Sequence, residues 1–176
     1  MLIGVPKEVK DFEYRVSVTP DGVHLLRQQG HQVLMEPSAG QGSGFSDEAY
    51  RQAGAEVVGS KGEIFDRAEM IVKVKEPQLS ECAMFRPGQV LFTYLHLASL
   101  PELTKALMAA EITAIAYETV EAKDHSLPML RPMSEIAGRL AVQVGAHYLG
   151  TVQGGRGVLL AGVPGVLPGH VVVLGA

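Results

Sequence analysis

The chain has 176 residues, of which 47% are hydrophobic and 19% are charged, and its formal net charge is −4. This size and apolar content suffice for one packed domain and part of another, and they argue against disorder. Because Lys and Arg are not in surplus, a nucleic-acid partner is not expected. The longest apolar runs fall short of the roughly 18 residues of a membrane span. The apolar run before Pro6 is also too short for the apolar region of a signal peptide. With a single cysteine, Cys82, we expect a cytoplasmic protein.

Short apolar runs alternate with helix-like segments over the first 125 residues. The first helix is predicted to begin at the N-cap Thr19, with Pro20 at its first position, and to stop at Gly30. Another helix is predicted after the N-cap Ser46. A third is predicted at "LPELTKALMAAE", and strands are predicted at "LIGVP", "HQVLMEP", "AEMIVKVKEP", "QVLFTYLH" and "ITAIAYETV". Such alternation is typical of βαβ crossovers, so we predict an α/β fold with a parallel sheet and helices on both faces.

The character of the sequence changes near residue 127. Polar residues and two prolines in "VEAKDHSLPMLRPM" indicate a connector, which divides a domain at 1–127 from an incomplete one at 128–176. A long amphipathic helix opened by Ser134 is predicted from apolar residues four positions apart, namely Ile136, Leu140, Val144 and Tyr148. The glycine-rich stretch "QGGRGVLLAGVPGVLPG" predicts a structured loop or a short hairpin, and "PGHVVVLGA" predicts a buried strand.

Polar residues follow or close several predicted strands. Lys73 and Lys75 close one strand, where the two-residue period places them on one face; His96 closes another, and Arg15 lies in the loop after the first. Ligands of parallel α/β sheets bind outside the carboxyl ends of the strands. An arginine that can hold a carboxylate with two hydrogen bonds, a lysine and a histidine suit a small anionic carbonyl compound.

Each of these residues also has an ordinary structural explanation. A lysine that ends a strand is usually a solvated charge, a lone histidine at an apolar strand end is more often structural, and Arg15 has the features of a surface arginine. Ser134 is most simply a helix N-cap. The six histidines show no metal-ligand spacing, so we expect no metal site. The glycine-rich stretch lacks the lysine and hydroxyl of a P-loop. Spacing alone therefore leaves the reaction open.

A set of segments along essentially the whole chain resembles the N-terminal half of bacterial L-alanine dehydrogenases. They occur in the family's order and at its separations: "IGVPKEVKDFEYRVSVTPDGV", "IVKVKEP", "LFTYLHLA", "AYETV", "PMSEIAGRLAVQVGAHYL", "QGGRGVLLAGVPGV" and "VVVLGA". One departure is Ala161, where the family has glycine. The nucleotide-binding component of proton-translocating transhydrogenase shares the "RV…TP" opening but usually differs at Glu76 and His96.

The resemblance implies a role for five residues. Arg15 would bind the substrate carboxylate, Lys75 would polarise the substrate, and His96 would be the acid/base. Ser134 would contact the cofactor, NAD, and Gly175 would be the first glycine of the dinucleotide-binding turn. The implied reaction is the reversible oxidative deamination of L-alanine to pyruvate and ammonia. Lys73 has no implied role.

Family members continue for about as many residues again, which implies that this chain is the N-terminal part of a homohexameric enzyme. Its last helix and strand would then begin a Rossmann dinucleotide-binding domain, and the 176 residues alone would be inactive and would not bind NAD tightly. Two alternatives stay open at this point. One is a transhydrogenase nucleotide-binding subunit, and the other is a short, non-catalytic chain that binds a small acid or an assembly partner.

Overall fold

The computed structural model describes residues 1–174. The chain divides into two compact units, Met1–Leu127 and Pro128–Ala176. The first unit is an α/β sandwich around one sheet, and the second contains a long helix followed by glycine-rich turns.

The described part of the first unit has a six-stranded sheet in the order β3-β2-β1-β4-β5-β6, and every neighbouring pair is parallel. This confirms the predicted α/β fold with a parallel sheet. The strands are β1 (Leu2–Val5), β2 (Gln32–Met35), β3 (Glu56–Val57), β4 (Met70–Val72), β5 (Val90–Thr93) and β6 (Thr113–Ala116). The helices are α1 (Pro20–Gln28), α2 (Asp47–Gln52), α3 (Lys61–Arg67), α4 (Leu79–Cys82), α5 (Pro101–Ala109) and, in the second unit, α6 (Arg131–Leu149).

The direction in which the chain adds strands reverses between β1 and β4. Strands β2 and β3 extend the sheet on one side of β1, and β4, β5 and β6 extend it on the other. In parallel sheets such a reversal opens a crevice at the carboxyl ends of the two central strands, because the loops that follow them diverge. The topology therefore points to the carboxyl ends of β1 and β4 as the place for a ligand.

The central strands are buried on both faces. On one face Leu34, Ile71 and Leu91 pack with Ile64 and Phe65 of α3 in the main hydrophobic cluster. The strand residues that point to the other face are buried as well, namely Ile3 and Val5 of β1 and Val33 and Met35 of β2. Val23 of α1 is also buried. Burial on both faces explains why these strands have near-continuous apolar runs rather than alternating ones.

Two predicted helix starts are confirmed. The Thr19 hydroxyl accepts a hydrogen bond from the Gly22 N–H at 3.2 Å. The Ser46 hydroxyl accepts one from the Ala49 N–H at 3.2 Å. Each hydroxyl satisfies one of the N–H groups that a helix start leaves without an intrahelical partner.

Three short elements were not predicted, namely β3, α3 and α4. A signal for α3 was present in "SKGE", because Ser and Glu three residues apart form a capping pattern. The Ser60 hydroxyl accepts from the Glu63 N–H at 3.3 Å, and the Glu63 carboxylate accepts from the Gly59 N–H at 3.0 Å. The strands are also shorter than predicted, and two of the differences concern the candidate site: β4 ends at Val72 and β5 at Thr93, so Lys75 and His96 lie in the loops that follow.

In the second unit, α6 begins at Arg131, and its N-cap is Leu130. The prediction that Ser134 opens this helix is wrong, because the helix begins three residues earlier. Pro132 does not prevent this, since the N–H that proline lacks would have no intrahelical partner in the first turn. The hairpin option for the glycine-rich stretch is confirmed by an antiparallel bridge between Val163 and Val166.

The terminal strand is not formed in the described residues. Val171, Val172, Val173 and Leu174 are exposed and outside any strand. A strand requires a neighbour to pair with, and none of the described residues supplies one. Gly175, the predicted first glycine of a dinucleotide turn, falls outside the described residues.

Candidate active site

The loops after β1, β4 and β5 carry Arg15, Lys75 and His96. Because these three strands are consecutive neighbours in the sheet, their carboxyl ends meet at one edge. The electrostatics agree with this proximity: the Arg15 guanidinium lowers the pKa of the Glu13 carboxyl, and the Lys75 ammonium adds to the effect. The loops of Arg15 and Lys75 thus follow the two strands between which the strand order reverses, and the loop of His96 follows the next strand.

The Arg15 loop is fixed to the sheet by side-chain hydrogen bonds on its C-terminal side. The Ser17 hydroxyl donates to the Val72 carbonyl at the end of β4, at 2.8 Å. The Tyr50 hydroxyl of α2 donates to the Val18 carbonyl at 2.9 Å. These contacts hold the loop over the carboxyl ends of β1 and β4.

Arg15 makes a forked ion pair with Glu13. Its Nε donates to Glu13 Oε1 at 2.8 Å and its Nη2 donates to Oε2 at 2.6 Å, while the Arg15 backbone N–H donates to Oε1 at 3.0 Å. The Arg15 side chain is 46% exposed and that of Glu13 only 7%. The hydrogen bonds lower the pKa of Glu13 and raise that of Arg15. Glu13, which sequence reasoning missed, therefore orients the guanidinium.

The backbone of Lys75 is held on both sides. Its N–H donates to Glu8 Oε1 at 3.3 Å, and its carbonyl accepts from the buried Thr93 hydroxyl at 2.9 Å. The Val74 N–H donates to the same Glu8 oxygen at 2.6 Å. These contacts fix the backbone from which the half-buried Lys75 side chain extends.

Lys73 is not the solvated charge that its position suggested. Its side chain is fully buried, and its Nζ lies 3.2 Å from Glu8 Oε2 and 3.2 Å from Glu81 Oε1. Glu81 also accepts from Lys61 Nζ at 2.9 Å. Burial pushes the pKa of Glu81 up, but Lys73 and Lys61 outweigh burial and lower it. Lys73 is therefore part of a buried ion-pair network, as burial of a charge requires.

His96 has a left-handed backbone, with φ 49° and ψ 33°. Its N–H donates to Glu118 Oε1 at 2.7 Å, and its ring stacks on Tyr94 with centroids 6.0 Å apart. The residue is exposed, which does not fit the alternative of a structural histidine satisfied in an apolar environment. It borders a cleft of about 470 Å³ that Glu118 also lines.

A second cleft, of about 440 Å³, opens beside Arg15. Its polar lining includes Lys7, Glu8, Lys10, Glu13, Arg15 and Ser38. Volumes of this size suit a small metabolite.

The second unit offers Ser134, which is exposed in the first turn of α6. The described residues contain no group of three or more His, Cys, Asp or Glu placed to hold a metal ion. Across residues 1–174, no helix has the length and apolarity to cross a membrane.

The fold defines a class: a parallel α/β unit whose strand order reverses between β1 and β4, with the loops of Arg15 and Lys75 after those two strands. Proteins of this architecture bind ligands at such a reversal. Residues 4–137 match the family model "Alanine dehydrogenase/PNT, N-terminal domain", and residues 141–176 match "Alanine dehydrogenase/PNT, C-terminal domain". The chain belongs to the alanine dehydrogenase/PNT family.

Several known proteins are similar to the chain. Alanine dehydrogenase of Methanococcus maripaludis is 59% identical over 99% of this chain, which corresponds to 47% of its own length. Alanine dehydrogenase of Bacillus subtilis is 56% identical over 99% of this chain, which corresponds to 46% of its own length. A solved L-alanine dehydrogenase superposes with a TM-score of 0.83 at 57% identity, over 96% of this chain and 46% of that one. A transhydrogenase from Sinorhizobium meliloti superposes with a TM-score of 0.63 at 30% identity. That match covers 67% of this chain and 35% of the transhydrogenase chain. The chain thus spans about half the length of the curated relatives it matches.

Proposed function

We propose that this chain is the substrate-binding part of an NAD-dependent alanine dehydrogenase, which converts L-alanine and water reversibly to pyruvate and ammonia. The observation that carries the proposal is that Arg15, Lys75 and His96 lie on the loops of three adjacent strands at one sheet edge. The 59% and 56% identities to proteins named alanine dehydrogenase support the same choice.

Arg15 would bind the alanine carboxylate. A guanidinium presents five N–H donors in a plane, so it can hold a second carboxylate in addition to the one that orients it. Because Glu13 holds the Nε and Nη2 edge, the guanidinium has a fixed direction before substrate arrives. Such preorganisation reduces the ordering cost of binding and fixes the orientation of Cα.

Lys75 and His96 would act on the reacting carbon. When bound, NAD would supply the two-electron oxidant that removes a hydride from the alanine Cα. His96 would take a proton from the attacking water and return one to the departing ammonia, which suits an imidazole near neutral pH. Lys75 would donate a hydrogen bond to the oxygen that becomes the pyruvate carbonyl, where charge develops during the reaction.

Among the described residues, the fit to NAD rests on Ser134. An exposed hydroxyl in the first turn of a 19-residue helix is a favourable neighbour for an anionic group, because the helix N-terminus carries partial positive charge. Gly175 is proposed to begin the phosphate-binding turn. Both residues would bind and orient the cofactor.

The full-length gene product tests the proposal directly. We expect NADH formation with L-alanine, and a kcat lower by about 10²–10⁴-fold in His96→Asn, since general acid–base catalysis contributes that much. Glu102→Gln is the control, because Glu102 is exposed and pairs only with its helix neighbour Lys105 among the ion pairs of the described residues. Absence of alanine activity together with hydride transfer between NAD(H) and NADP(H) would establish the transhydrogenase alternative instead.

The 176-residue chain alone gives a further test. We propose that it is inactive and does not bind NAD tightly, and calorimetric titration with micromolar affinity would contradict this. A native mass near 18.8 kDa in the source organism would favour the short, non-catalytic chain. We also propose a cytoplasmic homohexamer for the whole enzyme, which light scattering and cell fractionation would test.

A further inference from the structure

Two carboxylates bind backbone N–H groups next to the proposed substrate-handling residues. Glu8, from the loop after β1, accepts from the N–H groups of Val74 and Lys75 after β4. Glu118, from the turn after β6, accepts from the N–H groups of Leu95 and His96 after β5. In each case the carboxylate follows one strand and binds the residues that follow the neighbouring strand. Neither glutamate was predicted as a site residue.

This arrangement has a simple physical origin. Where parallel strands end, the ladder of hydrogen bonds stops, and the next N–H groups need another acceptor. A carboxylate is a stronger acceptor than a carbonyl, because its hydrogen bonds are charge-assisted. It can therefore hold a loop in a conformation that the chain would not adopt by itself.

The Glu118 contact has a conformational consequence at His96. Oε1 lies 2.7 Å from the His96 nitrogen and 3.1 Å from that of Leu95, and Oε2 lies 3.3 Å from the latter. The left-handed backbone of His96 is unfavourable for a residue with a Cβ, so it persists only where surrounding contacts enforce it. Burial raises the pKa of Glu118, but the N–H groups of His96 and Leu95 more than compensate, which keeps the carboxylate ionised.

Glu118 is itself anchored by its neighbour. Tyr117 is buried and packs edge-on against Phe92 and Tyr94, at centroid distances of 4.4 and 5.0 Å. Tyr94 in turn stacks on the His96 ring. The Glu118 carboxylate therefore belongs to a packed cluster that fixes both the backbone and the ring of His96.

Glu8 is anchored differently, by charge. Its Oε2 lies 3.2 Å from the fully buried Lys73 ammonium, while Oε1 binds the Val74 and Lys75 N–H groups. Lys73 thus acquires a function that its burial alone does not explain: it holds the carboxylate that positions Lys75.

We propose that Glu118 and Glu8 are positioning residues, which set the backbone of His96 and of Lys75 so that these side chains meet the substrate in reactive geometry. The inference rests on the proposed function and assigns two residues to that site. A displacement of about 1 Å at a reacting group can cost on the order of 10²-fold in rate, so loss of either contact should be visible in turnover.

Glu118 is tested in the full-length enzyme with Glu118→Ala, Glu118→Gln and the exposed control Glu102→Ala. Glu118→Ala should lower kcat by about 10–100-fold with the KM for alanine within about twofold, since Arg15 is untouched. Glu118→Gln keeps an oxygen acceptor and should recover most of the loss. Amide hydrogen exchange at Leu95 and His96 should accelerate in the alanine variant only.

Two results would overturn the role of Glu118. One is a kcat for Glu118→Ala within twofold of the unsubstituted enzyme. The other is a glutamine variant as impaired as the alanine variant. Both require that the unsubstituted enzyme oxidises alanine; if it does not, the proposed function fails first, and the two failures are distinguishable.

Glu8→Ala alone would leave Lys73 with fewer partners in the core and could unfold the protein, so a paired design is needed. Lys73→Met removes the ammonium that holds Glu8 but leaves the Val74 and Lys75 N–H groups as partners of its carboxylate, whereas Glu8→Ala with Lys73→Met removes the carboxylate and the lysine together. We expect the double variant to lose at least tenfold more kcat/KM than Lys73→Met, with similar melting temperatures. Equal activity of the two variants would refute the role of Glu8.

Discussion

The two units have similarly apolar sequences, but they bury their apolar side chains to different degrees. Every residue that the structure shows as buried lies in the first unit. In the described part of the second unit, the apolar stripe of α6 (Ile136, Leu140, Val144 and Tyr148) is exposed. The difference shows that an apolar pattern specifies a helix face, whereas burial depends on a partner surface.

The sharpest test of this contrast uses the same substitution in both units. Ile64→Ala in α3 removes a fully buried side chain and should cost about 2–5 kcal/mol of unfolding free energy, because it leaves a cavity. Ile136→Ala in α6 removes a side chain that is 57% exposed and should cost less than about 0.5 kcal/mol. Urea denaturation of both variants of the 176-residue chain measures the difference, and equal costs would contradict the contrast.

The full-length protein sharpens the same comparison. Its relatives have about twice this length, and we expect the additional chain to cover the α6 stripe. Ile136→Ala should then cost more than about 1 kcal/mol, as for a partly buried position. If Ile136→Ala costs the full-length protein as little unfolding free energy as it costs the 176-residue chain, the stripe stays exposed.

The next largest contrast is the effect of glycine-to-alanine substitution on stability, which should be destabilising in the first unit and stabilising in the second. A Cβ on Gly4 of β1 would lie 2.4 Å from Ile64 Cγ2 and 2.8 Å from Ala68 Cβ. Gly4→Ala should therefore cost about 1–3 kcal/mol through overpacking. A Cβ on Gly145 of α6 would meet no atom within 4 Å, so Gly145→Ala should stabilise the helix by about 0.5–1 kcal/mol. Thermal unfolding followed by circular dichroism tests both signs.

A smaller contrast concerns the two hydroxyls that the sequence marks as helix caps. Thr19→Ala removes a cap hydrogen bond and should cost about 1 kcal/mol. Ser134→Ala should be neutral or stabilising by less than about 0.5 kcal/mol, because Ser134 lies inside α6, where alanine has the higher helix propensity. A comparable loss at Ser134 would indicate a capping role that the structure does not show.

The last contrast concerns how stability depends on pH. Because Lys73, Lys61 and the Gln78 N–H lower the pKa of Glu81 below the ordinary value of a glutamate, its contribution to stability is complete above that ordinary value and is lost as pH falls through the lower folded-state value. Glu81→Gln should flatten this acid dependence. Glu135→Gln in α6 is the exposed comparison: Arg131 and Arg139 also lower the pKa of Glu135, but solvent screens these pairs, so the curve should change much less than for Glu81→Gln. Urea midpoints from pH 7 to pH 3 distinguish these outcomes.

Much of the site was predictable because strand order follows from simple rules. Strands that alternate with single helices form a parallel sheet, and polar residues just after apolar runs then lie at its carboxyl edge. This reasoning marked Arg15, Lys73, Lys75 and His96, and only the family resemblance gave Lys75 rather than Lys73 a role in substrate handling. It could not select Glu8, Glu13 or Glu118, because their partners are backbone groups or side chains whose positions depend on the folded loops.

Lys73 and the terminal valine run show where local pattern and tertiary context disagree. Lys73 looked like a solvated strand-end charge, but Glu8 and Glu81 make its burial possible. Val171, Val172 and Val173 have the composition of a buried strand yet are exposed, since no described neighbour pairs with them. Burial of a charge and formation of a strand both depend on partners distant in sequence.

The sequence by itself determined the fold class, the two capped helices of the first unit and the presence of Arg15, Lys73, Lys75 and His96 near the ends of strands. These follow from periodicity, from capping chemistry and from the handedness of parallel crossovers, which are all local or general rules. Only the tertiary structure decided which lysine is buried, which glutamates hold the loops and which apolar stripe finds a partner. Those outcomes depend on distances between residues up to 67 positions apart in the chain, and folding alone sets such distances.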